Sequence, residues 1–81
     1  MNAAPARSVQ GHILLVQEER FRLLADSGRS YLFTLAHGAS LDSEALHRFH
    51  QQHTHVTVEY EGEPDLASCV ARCVRESGPG R

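Results

Sequence analysis

The chain has 81 residues, of which 41% are hydrophobic and 22% charged, and its formal net charge is −2 with every basic residue an arginine. So short a chain holds one domain with a thin core, burying roughly 60% of the surface its unfolded form exposes, and its composition is that of a folded globular protein rather than a disordered one. The six arginines and nine acids between Val9 and Arg75 leave that region at −3, which excludes a broadly basic footprint, and no apolar run is long enough for a transmembrane helix.

Met1 to Ser8, MNAAPARS, carries one positive charge with no apolar stretch behind it, so it lacks the core of a secretory signal. It is expected to be a frayed tail, with the cytoplasm as the default location. Val9 to Gln17 is the first predicted strand: Ile13 and Leu15 alternate with Leu14 and Val16, and Gly11 marks a bulge or a barrel bend. Glu18-Glu19 turns the chain. Arg20 to Ala25 follows as a second strand, with Phe21 and Leu23 on one face and Arg20 and Arg22 on the other. Ala25-Asp26-Ser27-Gly28-Arg29 pairs a residue that can hydrogen-bond its own backbone with a glycine suited to positive φ, the signature of a hairpin. Ser30 to Ala36 completes it, with Tyr31, Phe33 and Leu35 alternating with Leu32 and Thr34.

His37-Gly38-Ala39-Ser40 breaks the alternation, and Asp42 reads as a helix N-cap, with Leu41 and Leu46 placed for a hydrophobic staple. Glu44 in the first turn suits the positive end of the helix dipole. The helix runs from Ser43 to Gln51 or Gln52 and buries Ala45, Leu46 and Phe49, with His50 at the edge of the stripe. Thr54 to Tyr60 returns to period two as a fourth strand, with Val56, Val58 and Tyr60 inward and His55, Thr57 and Glu59 outward. Glu61 to Asp65 is a loop punctuated by Gly62 and Pro64.

Leu66 to Arg75 fits two patterns. Leu66, Cys69, Val70, Cys73 and Val74 make a helical stripe, whereas Ala67, Cys69, Ala71 and Cys73 make a strand face opposed to Val70 and Val74. A strand is preferred, because four curled strands leave an open edge that a fifth would cover. Glu76 to Arg81 is a second tail. The two cysteines, four apart, are too distant in a strand and poorly oriented in a helix for a disulfide, so buried, reduced thiols are expected.

Three strands, a helix, a fourth strand and a fifth is the element order of the OB-fold, a small mainly β Greek-key barrel with one helix. The runs VQEERFRLLADSGRSYLFTL and VTVEYEGEP also resemble a group of small bacterial OB-like proteins of unknown function. The resemblance carries no catalytic motif. What OB-fold likeness implies is binding of single-stranded nucleic acid or oligosaccharide on the face of the second and third strands.

Histidine is the most conspicuous side chain: His47, His50, His53 and His55 cluster, with His12 and His37 elsewhere. His47 and His50, or His50 and His53, stand three apart, a helix spacing that aims two imidazoles at one Zn, Ni or Cu ion. The competing reading is a solvated helix face and end, where partly protonated histidine near the C-terminus suits the dipole. For single-stranded nucleic acid, Arg20, Arg22 and Arg29 supply charge and Tyr31 or Tyr60 a stacking surface, opposed by the acids Glu59, Glu61, Glu63 and Asp65. No nucleophile, phosphate loop or carboxylate pair has a recognisable spacing, so no enzyme activity and no cofactor is expected.

The preferred expectation is a non-catalytic interaction module. Leu14, Val16, Leu24 and Leu32 are left over once Ile13, Leu15, Phe21, Leu23, Phe33 and Leu35 fill one side of the sheet. A partner face is therefore expected on the outside of the first three strands, at Arg20, Arg22, Leu24, Arg29 and Leu32, docking another protein or a second copy and no membrane.

Overall fold

A computed structural model describes residues 7–36, 38, 42–62 and 69–77. Its elements are β1 (Arg7–Gln17), β2 (Arg20–Ala25), β3 (Ser30–Leu35), α1 (Ser43–Gln51), β4 (His55–Glu61) and β5 (Val70–Glu76). The five strands close into a barrel in the order β1-β2-β3-β5-β4. β1 pairs antiparallel with both β2 and β4, and β5 pairs antiparallel with β4. The parallel β3–β5 contact closes the ring through Thr34 opposite Val70 and Leu35 opposite Ala71. This is an OB-fold-like Greek-key barrel with one helix between its third and fourth strands.

The ambiguous last segment is a strand from Val70, and its expected beginning at Leu66 lies outside the described residues. β1 starts two residues before the expected Val9, because Arg7 and Ser8 pair with Tyr60 and Glu59 of β4. β5 likewise reaches Glu76, opposite Val56.

The β2–β3 hairpin forms as its sequence requires. Gly28 donates to the carbonyl of Ala25 at 2.8 Å and holds φ at 95°, so a three-residue loop ends in the left-handed residue that returns the chain to β3. At the β1–β2 end, Gln17 faces Arg20 and Glu18 takes φ 56° in a tight two-residue turn.

Two bulges set the inner face. Ile13 faces Leu23, but Leu15 faces Arg22, so Leu14 is an extra residue in β1. The side chains beyond it change sides: Val16 is buried and Leu15 exposed, which corrects the expected pairing of Ile13 with Leu15 inside. In β5 the register shifts between Cys73 and Ala71, making Arg72 the extra residue. Cys69, Ala71 and Val74 therefore all point inward, combining halves of the two patterns that the sequence offered, while Cys73 is half-exposed. Both thiols are outside any disulfide.

The core joins Ile13, Val16, Phe21, Leu23, Phe33 and Leu35 to Val56, Val58, Tyr60, Ala71 and Val74. Phe33 lies 5.3 Å from Phe21 and 5.2 Å from Tyr60 between ring centroids, and half-buried Tyr31 stacks on it at 5.8 Å. α1 sends Leu46 fully into this cluster and packs Phe49 against it, while Ala45 is half-exposed. Asp42 caps the helix by accepting from the Ala45 amide at 3.0 Å; the Leu41 staple lies outside the described residues. Thr57 departs from expectation: it is covered, and its hydroxyl lies 2.9 Å from that of Ser77.

Candidate interaction face and histidine cluster

Alternation in β2 and β3, with the bulge in β1, builds a continuous outer face from three rows of cross-strand neighbours. Across the middle, Leu15, Arg22 and Leu32 stand side by side. Toward the β1–β2 turn the row is Gln17, Arg20 and Thr34, and toward the hairpin it is His12, Leu24 and Ser30. Four leucines remain open here, Leu14 at 46%, Leu15 at 48%, Leu24 at 39% and Leu32 at 48% exposure. A shallow depression of about 160 Å³ is lined by Leu15, Gln17, Arg20, Phe21, Arg22 and Leu32. Leucine is usually buried, and four of them on one contiguous strand face form a patch rather than scattered exceptions.

The charge around this patch is segregated. On the opposite wall Arg75 bonds Glu59 at 2.8 Å and Arg72 meets Glu61 at 3.7 Å. Bonds to the Glu59 carboxylate first, and then to the Cys73 side chain, raise the Arg75 pKa above its ordinary value. Arg20 and Arg22 have no ion-pair partner among the described residues.

The structure brings together four of the five residues expected at this face, Arg20, Arg22, Leu24 and Leu32, and separates Arg29. Arg29 shares the parity of Tyr31, and its guanidinium carbon lies 5.3 Å from the Tyr31 ring centroid, away from Leu32. Leu15 takes the place on the outer face expected for Val16. The signal for that exchange is weak in the sequence, since an unbroken apolar run such as Ile13-Leu14-Leu15-Val16 is compatible with either phase.

His47 and His53 are exposed and His50 is half-buried. The chain leaves α1 through a left-handed residue at His53, φ 54°: His53 donates to the carbonyl of His50 at 3.2 Å and Thr54 to that of Phe49 at 3.0 Å. These are the paired bonds of a Schellman cap. Among the described residues no three His, Cys, Asp or Glu side chains converge in a geometry that could hold a metal ion.

The histidines that do meet are ones that the sequence keeps 43 positions apart. His12 faces His55 across the β1–β4 pairing with ring centroids 5.1 Å apart, and His55 Nε2 lies 3.0 and 2.9 Å from the two carboxylate oxygens of Asp26. Asp26 thereby ties the hairpin tip to β4 and sets the orientation of the imidazole. Only knowledge that β1 pairs with β4 could have revealed this cluster.

No protein-family model matches the chain, and neither the curated proteins nor the solved structures contain a significant match to it.

Proposed function

We propose that this barrel is a non-catalytic interaction module that docks a protein partner on the outer face of β1, β2 and β3. The observation that carries the reading is the row Leu15, Arg22, Leu32, continued by Leu14 and Leu24: half-exposed leucines interleaved with arginine. An apolar centre with arginine at its margin is the composition of protein interfaces. A cytoplasmic location and kinship with small bacterial OB-like proteins belong to this proposal and rest on the sequence alone.

Single-stranded nucleic acid is the alternative ligand, and the face serves it less well. Base stacking needs exposed aromatic rings. Phe21, Phe33 and Tyr60 are buried, and Tyr31 lies on Phe33 beneath Arg29.

Segments selected from a random peptide display library, titrated against isotope-labelled protein, test the reading. The expected result is amide shifts centred on Leu15, Arg22 and Leu32, abolished by Leu32→Asp in a variant that melts within a few degrees of the parent. Selected segments that shift only residues of β4, β5 or α1 would place binding elsewhere and reject the proposed face.

A further inference from the structure

We propose that the occupant of this face is an acidic, extended segment of another protein in which carboxylates alternate with apolar side chains, an inference that rests on the interaction reading above. Arg20 and Arg22 are two positions apart on β2, so about 7 Å of strand separates them. An extended partner repeats its side chains on one side at the same interval. Arg22 stands between Leu15 and Leu32, placing a forked donor for a carboxylate beside apolar ground on both sides.

Arg20 and Arg22 share with Arg48 of α1 the lack of an ion pair among the described residues, and they are the two that stand on the leucine face. Arg72 and Arg75 are engaged by Glu61 and Glu59, and Arg29 lies over Tyr31. Arg20 and Arg22 form no ion pair with a described carboxylate, within a chain whose net charge is −2. Glu18 and Glu19 line a depression with Arg20 at the β1–β2 turn without forming an ion pair with it. Arg22, set between Leu15 and Leu32, is therefore the arginine farther from acidic neighbours along β2.

The same charges argue against a second copy. A two-fold contact of the face with itself brings like guanidinium groups into one small interface. The carboxylates of β4 are engaged with arginines of their own chain, so among the described residues a head-to-tail contact would have to draw on others such as Glu18, Glu19, Glu44 or Glu76, none of which lies beside an apolar row like that of Leu15 and Leu32.

Fluorescence anisotropy with labelled peptides of alternating Glu/Leu, Gln/Leu and Lys/Leu tests the proposal on the full chain. The parent is expected to bind Glu/Leu about tenfold more tightly than Gln/Leu, the effect of one good charged hydrogen bond, and the margin should shrink with added salt. The Arg20→Glu, Arg22→Glu double variant, confirmed folded by its melt, should reverse the preference toward Lys/Leu. Equal binding of Glu/Leu and Gln/Leu, lost in Leu32→Asp, would overturn the acidic partner while leaving the interaction face standing. Concentration-dependent dimerisation abolished by Leu32→Asp would name a second copy as the occupant and overturn it too. Salt-sensitive binding of oligothymidylate, lost in the double variant, would replace the peptide with nucleic acid. Failure of every peptide, with a strictly monomeric parent and no library segment mapping to the face, would remove both readings together.

Discussion

Gly11 and Ala25 face each other so closely across β1 and β2 that a Cβ on Gly11 would strike the carbonyl oxygen of Leu24 and lie 2.7 Å from the Ala25 Cα. Both obstacles are backbone, which cannot rotate away as a side chain can. Gly11 also faces Val56 on β4, so β1 is paired on both sides here and shifting it away from β2 would disturb its pairing with β4. The Gly11→Ala variant is therefore expected to lose about 3 kcal/mol, the upper part of the range for overpacking, read as a lower urea midpoint. A midpoint unchanged from the parent would show that the two strands are farther apart than described.

The bulge at Leu14 makes adjacent residues respond in opposite ways to the same change. Val16→Asp buries a carboxylate among Phe21 and Ile13 and should cost several kcal/mol, enough to unfold a domain of this size. Leu15→Asp puts the charge in water and should change stability by about 0.5 kcal/mol or less. Circular dichroism melts of the two variants decide it, and the reverse ranking would mean that β1 keeps an unbroken two-residue alternation.

Leu46 is the α1 side chain fully buried in the core. Leu46→Ala should cost about 2–5 kcal/mol, since it removes fully buried atoms and leaves a cavity. Leu24→Ala, on the outer face, should cost far less in the same denaturation experiment. Equal losses would mean that Leu24 is covered.

His53 holds a left-handed conformation that favours glycine, and its side chain is exposed. Relief of that backbone cost should make His53→Gly about 1 kcal/mol more stable. A rise in melting temperature with unchanged spectra is the expected result, and a fall would show that the His53 side chain makes a contact worth more than the strain.

Asp42→Ala should cost about 1 kcal/mol by removing the acceptor for the Ala45 amide, whereas Asp42→Asn should keep most of it. Thermal melts of the two variants separate capping from a general effect of charge.

The elements legible in the sequence are those whose cause is local. Phe21 and Leu23 alternate with Arg20 and Arg22, and Val56, Val58 and Tyr60 lie inward as their spacing of two requires, although Thr57 between them is covered too. Gly28 supplies the positive φ that closes the hairpin, and Asp42 sits three residues before the amide it caps. Neighbours along the chain fix each of these, so residue types and spacing suffice. Tertiary structure decided which leucines face water, because the extra residues Leu14 and Arg72 exist only relative to the strands they pair with. An inward set at Ile13 and Val16, or at Ala71 and Val74, has a three-residue spacing that resembles a helix until the partner's register is known. The same holds for the outer face and the histidine cluster: Arg22 lies between Leu15 and Leu32, and His12 beside His55 and Asp26, through pairings between segments far apart in sequence. Barrel closure sets those pairings, and it is a property of all five strands at once.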